Sequence, residues 1–285
     1  MSSTLETAPR RPAIADTQSK PTTPSASLVR TEEVQRPKEH GAYAMLGVPL
    51  ATSWALGGIT LAGMAISMAA FAGFWANEPF LILTGQRGSR AQKESPHAYR
   101  HWVILLALGI TAGGFAFFLA DLNTRFLLAG CALVASVGFV MSAFGKQRTL
   151  VAQLWSVIGL TLPSFAVQST AELPFENALH MWVVWCIGQA VCIVAVRSVI
   201  ASQRKSLQCT IPRVNDLIQC ILTTLGIGLA ILSPFPFVAC LPMVVAASYL
   251  RLFPPSVRSI RRVGWSLVAA NLTCAVMLMG LLWNR

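Results

Sequence analysis

The chain has little charge to spend on water. Only 12% of its 285 residues are Asp, Glu, Lys or Arg, and no more than 11 are acidic. A soluble protein of this length needs more than that to hydrate its surface, so a soluble fold is excluded. Motifs are missing as well. The seven cysteines, at 131, 186, 192, 209, 220, 240 and 274, contain no C-x-x-C pair. Neither a disulfide framework nor a zinc cluster is expected from them, and they read as small packing residues. No H-E-x-x-H, G-x-S-x-G, P-loop or dinucleotide fingerprint occurs, which leaves nucleophilic and nucleotide chemistry without support. His97 and His101 have the spacing that sets two imidazoles on one helix face, yet Arg90, Lys93 and Arg100 beside them repel a cation. No metal and no cofactor are expected.

Residues 1–36 lack any apolar run longer than two or three residues. They are rich in Ser, Thr and Pro with both signs of charge, a composition that buries too little surface to offset its ordering entropy. A disordered cytoplasmic tail is expected there. No apolar stretch directly follows its charges, so it does not read as a signal peptide.

Apolar length is what the chain does have. It is 54% hydrophobic with a mean hydropathy of +0.60. Nine apolar stretches follow the tail, near 42–56, 61–85, 102–119, 125–144, 150–169, 179–200, 215–232, 237–253 and 263–283. A bilayer core takes about 20 residues per helix. Residues 37–285 therefore read as one all-α, nine-span transmembrane domain. The connecting loops alternate in charge. Of the 22 Lys and Arg residues, Arg125 and Arg285 stand on one side and all the others on the opposite one. Basic loops face the cytoplasm, so the N-terminus is expected inside and the C-terminus outside. The net charge of +11 thus speaks of lipid topology, and no nucleic-acid partner is expected. Trp102, Trp155, Trp182, Trp265 and Trp283 lie near span ends, where an indole buries its ring and hydrogen-bonds at the headgroups.

Charged groups at membrane depth point to a site, since each is costly there. Glu78 falls within the second stretch. Pro79 after it biases the backbone away from the helix, and irregular backbone at that depth faces protein or a wet cavity. Asn77-Glu78-Pro79 is therefore expected to interrupt the helix and line a cavity open to the cytoplasm; the alternative is a carboxylate paired with Arg only to hold helices. Pro37-Lys38-Glu39-His40-Gly41-Ala42 opens the first span. Pro, Lys and Glu suit a helix start, whereas His40 beside Gly41 has no such explanation. Arg197 ends an apolar run interrupted by Gln189. It is either a snorkelling anchor or a guanidinium facing the same cavity as Glu78. Lys146 and Arg148 share that side.

The string Arg36-Pro37-Lys38-Glu39-His40-Gly41-Ala42-Tyr43-Ala44-Met45 resembles the opening motif of the bacterial YwiC-like membrane proteins. Val196-Arg197-Ser198 and Arg261-Arg262-Val263-Gly264-Trp265 resemble later elements of that family, in the same order. The resemblance implies a bacterial inner-membrane protein and carries no established activity. More distantly, the chain is similar to the UbiA-type intramembrane prenyltransferases, which implies a UbiA-like arrangement of nine helices around a cavity. Asn77-Glu78 stands where their first Asp-rich motif begins, and Lys146-Gln147-Arg148-Thr149 resembles their K-R-x-T stretch. The later acids are gone, however. Leu81 and Gly85 replace them in the first motif, and Arg197, Ser198, Ala201 and Ser202 in the second. One Glu is a poor Mg²⁺ site, so magnesium-dependent prenyl transfer is disfavoured.

Together these expectations describe a metal-less bundle binding an anionic or isoprenoid lipid in a cytoplasm-facing cavity lined by Lys38, Glu39, His40, Asn77, Glu78, Lys146, Arg148 and Arg197. Two alternatives stand beside it. One is a lipid transferase or hydrolase using Arg and Lys in place of Mg²⁺; the other is a small-molecule transporter.

Overall fold

The computed structural model describes residues 40–171, 173–202, 210–232, 234–253 and 260–282. The expected tail at 1–36 lies outside them, as do Lys38 and Glu39. All the regular structure described is helical: α1 (His40–Gly57), α2 (Leu61–Leu83), α3 (Ser89–Glu94), α4 (Ala98–Leu119), α5 (Leu122–Ala143), α6 (Leu150–Ser169), α7 (Phe175–Ser202), α8 (Thr210–Leu232), α9 (Pro234–Phe237), α10 (Leu241–Leu252) and α11 (Ile260–Leu282). Short 3₁₀ turns at Lys146–Arg148 and Val238–Cys240 precede α6 and α10.

Each of the nine predicted stretches coincides with a helix, but they are not alike. Seven helices are long and apolar enough to cross a membrane: α2, α4, α5, α6, α7, α8 and α11. The other two predicted spans fall short for different reasons. α10 has only 12 residues, even though the preceding turn lengthens its apolar run to Val238–Leu252. α1 has 18 residues and carries Pro49, Thr52 and Ser53 within them.

Helix ends follow local chemistry. Thr60, Asp121 and Thr149 cap α2, α5 and α6, each accepting the N–H three residues on, which satisfies a donor the helix start leaves free. α1 stops where Gly58 adopts a φ of +77° and returns its N–H to the Trp54 carbonyl. α2 ends at Gly85, with φ +76° and paired bonds from Gly85 to Ile82 and from Gln86 to Leu81. A left-handed turn of this kind favours glycine.

One expectation about α2 is corrected. Asn77-Glu78-Pro79 does not break it, and the helix runs on to Leu83. Proline removes one backbone donor, here the one that would reach the Trp75 carbonyl, yet its φ is helical. The turn beyond it is closed by the Thr84 hydroxyl, which donates to the Phe80 carbonyl.

α6 and α7 form the centre. Two-thirds of the α7 span is buried inside the protein, against 6% of α5 and 11% of α4. α4 and α5 therefore turn most of their surface outward, with Ile110, Phe118, Phe126 and Leu133 exposed. α2 and α4 pack through small residues. Gly109 lies against the Ala69 carbonyl, Ala72 and Gly73, the close backbone approach that helices in lipid use where hydrophobic drive is weak. Hydroxyl pairs tie α6 to its neighbours at the end opposite the basic loops: Thr60 with Thr170 at 2.7 Å and Thr124 with Ser169 at 2.8 Å. On the far side of α7, Met181, Trp185, Val191, Met243, Cys240 and Cys274 build a second core with α10 and α11. The described cysteines are all free thiols.

Candidate functional site

The described basic loops, after α2 and after α5, lie at one end of the bundle, where α2, α4, α5, α6 and α7 meet. Glu78, half-buried on α2, accepts from Nη2 of Arg87, just past the helix end. Two residues beyond Glu78 on the same helix, Phe80 stacks on Trp102 and meets Phe139 edge-on. Asn77 is half-buried beside Glu78. The corner after α2 touches the corner after α5: a methyl group placed on Gly145 would lie 3.0 Å from the Gln86 side chain.

Arg197 reaches from α7 toward α6. Its Nη1 donates to the Arg148 carbonyl at 2.8 Å and to Gln153 Oε1 at 3.0 Å. Its Nε is buried and has no partner among the described residues. The guanidinium thus holds the 3₁₀ turn Lys146–Arg148 against the start of α6. Lys146 and Arg148 themselves are exposed.

Of the predicted residues, Arg148 and Arg197 are brought into direct contact, with Lys146 on the same turn. Glu78 joins a different partner, Arg87. The side chain of His40 lies outside the described residues, like Lys38 and Glu39; only its backbone, opening α1, is described. His97 is exposed and His101 half-buried. Among the described residues no three His, Cys, Asp or Glu side chains converge as a metal cluster. Two hollows in the surface lie away from all of these residues. One, of about 370 Å³, opens at the opposite end between Leu56, Asn177, Met181 and Leu282. The other is an apolar groove on the outer face of α8 over Thr224 and Gly228.

Sequence reasoning missed a buried polar seam between α1, α6 and α7. Pro49 supplies no N–H, so the Met45 carbonyl loses its helical donor. Gln189 Nε2 on α7 takes that place at 2.9 Å. Further along, Ser53 hydroxyl contacts the Pro49 and Ser164 carbonyls while accepting from Gln168 Nε2 at 2.8 Å. Thr161 and the Cys186 thiol are 3.1 Å apart. Along α6 the positions Gln153, Thr161, Ser164 and Gln168 share one helix face. Pro49 and the lone Gln189 in an apolar run were visible signals, but nothing in the sequence pairs them. Trp155 also departs from expectation. Its indole donates inward to the Val134 carbonyl at 2.9 Å, because that carbonyl on α5 lies within its reach.

Residues 37–168 match the family model described as YwiC-like protein. Over that stretch, which runs to the last turn of α6, the chain is similar to that family, and seven of the chain's helices are long and apolar enough to cross a membrane. No curated protein and no solved structure matches the chain; the UbiA resemblance rests on the residues quoted for it.

Proposed function

We propose that this protein binds the anionic headgroup of a phosphorylated or isoprenoid lipid at the basic end of its bundle. That end faces the cytoplasm of a bacterial inner membrane, with the N-terminus inside and the C-terminus outside. The observation that carries the reading is the turn Lys146–Arg148, anchored from below by Arg197. Anchoring leaves the two exposed cations at the rim, and no carboxylate pairs with Lys146, Arg148 or Arg197 among the described residues. Cations without a carboxylate partner are free for phosphate oxygens, to which guanidinium binds in bidentate fashion. Glu78 does not oppose this, because Arg87 neutralises it. The outward apolar faces of α4 and α5 suit the lipid tail.

Native mass spectrometry of protein gently extracted from its own membrane tests the reading. Wild type should retain a defined phosphorylated lipid, and the K146A/R148A double variant should lose it. Bulk lipid alone, equal in both, would overturn the proposal.

A further inference from the structure

The second half of the bundle, outside the stretch matched to the family, holds its own set of buried polar groups. On α8, Asn215, Gln219 and Thr223 recur at helical spacing on one face. Asn215 is 2% exposed and Gln219 5% exposed, inside a span long and apolar enough to cross a membrane. Among the described residues Asn215 Nδ2, both amide atoms of Gln219 and Thr223 Oγ1 have no hydrogen-bond partner. Ser198 Oγ on α7, in a side chain 7% exposed, has none either.

These groups lie in adjacent layers. Cys192 on α7 contacts Met243 on α10, and Val199 packs on Leu250, so α7 and α10 run parallel. Asp216 grips Arg251, whereas Gly226 approaches Val244 and Ile187. α8 therefore runs antiparallel to both. As many residues separate Asn215 from Gly226 as separate Ser198 from Ile187, which puts Asn215 level with Ser198. The Asp216–Arg251 pair, beside Val199–Leu250, gives the same level independently. Gln219 lies one turn deeper.

An unsatisfied buried polar atom costs free energy comparable to a hydrogen bond or more, and lipid offers it no compensation. Five such atoms on two facing helices exceed what close packing explains. We infer that this layer between α7 and α8 is a binding site for an uncharged ligand carrying two or more carbonyl or hydroxyl oxygens. Asn215, Gln219, Ser198 and Thr223 all have N–H or O–H donors to offer, and Gln219 Oε1 accepts one bond in return. The ligand is uncharged because, among the described residues of α8 and α10, the ionised groups at this level are Asp216 and Arg251, which cancel each other through two bonds. The site is distinct from the rim held by Arg197, whose guanidinium points to α6.

Two probes separate the sources of such oxygens: menadione, a dicarbonyl quinone, and glyceryl monooleate, a diol lipid. Unfolding of the full chain in detergent is followed by temperature, with and without each probe. A probe that fits should raise Tm of wild type by about 5–10 °C at a hundredfold excess over Kd. The gain should vanish in Asn215→Leu and Gln219→Leu, and persist in Cys220→Ser on the outer face of the same helix. Without probe the leucine variants should be at least as stable as wild type, since they remove unsatisfied groups. Gln219→Met serves if leucine is not accommodated. No shift by either probe, or equal shifts in wild type and in the leucine variants, overturns the inference. Its failure leaves the lipid reading untouched, because K146A/R148A acts on the turn before α6 and not on α7 or α8.

Discussion

Replacing Gln189 by leucine should cost the wild-type protein stability and cost nothing once Pro49 is alanine. In wild type the Met45 carbonyl lacks its helical donor because Pro49 has no N–H, and Gln189 Nε2 fills the gap at 2.9 Å. Gln189 is 1% exposed, and its own Oε1 has no partner among the described residues. Leucine therefore removes one bond and one orphan acceptor, and creates one orphan, the Met45 carbonyl. The net loss is one interhelical hydrogen bond, about 0.6 kcal/mol on average and up to about 1.7 in membrane proteins. With Pro49→Ala the helix supplies its own donor to Met45. Gln189→Leu then removes an orphan and creates none, so its effect should be near zero or stabilising. A four-member cycle unfolded by denaturant in mixed micelles measures the difference, provided the slopes agree. Equal cost of Gln189→Leu in both backgrounds would show that Gln189 does not act through that carbonyl.

Other perturbations follow from the same geometry. Gly57→Ala puts a methyl 2.5 Å from the Ala171 Cβ, which is attached directly to backbone, whereas Gly138→Ala meets nothing within 4 Å. Thermal unfolding should show a loss of about 1–3 kcal/mol for the first and none from packing for the second. Asp121 caps α5, and the hydrogen bond from Thr124 holds its carboxyl below the ordinary value of 3.8. Its stabilisation should be complete at neutral pH and fade as pH falls from 3.8 through the lower folded value. Asp121→Ala should cost about 1 kcal/mol at pH 7, and the gap to wild type should close in acid. Arg197→Gln should release the 146–148 turn, and hydrogen exchange should quicken at the Thr149 amide, which bonds to the Lys146 carbonyl. Unchanged protection there would mean the turn is held without the guanidinium.

How much could be read ahead of the structure differs between fold and site. All nine apolar stretches are helices, because apolar length is a local property of a chain in lipid. Pro79 misled for an equally local reason: proline forbids one bond but permits the helical φ, and only the surrounding helices decide whether the chain continues. Among the candidate residues, the contact of Arg197 with the turn bearing Arg148 spans almost 50 positions. Nothing local encodes it. The partner of Glu78 was legible in kind, an arginine, but not in identity.

The sequence by itself determined that this chain lives in a membrane, which segments are helical, and which end carries the positive charge. Hydropathy and charge act residue by residue against a planar solvent, and no knowledge of neighbours is needed for either. Tertiary structure alone decided that α6 and α7 form the centre, that Gln189 repairs the carbonyl freed by Pro49, and that Arg197 serves the Lys146–Arg148 turn. It also brought the α8 amides level with Ser198. In lipid, helices choose partners by fit and by hydrogen bonds between distant residues, and those depend on the packed geometry.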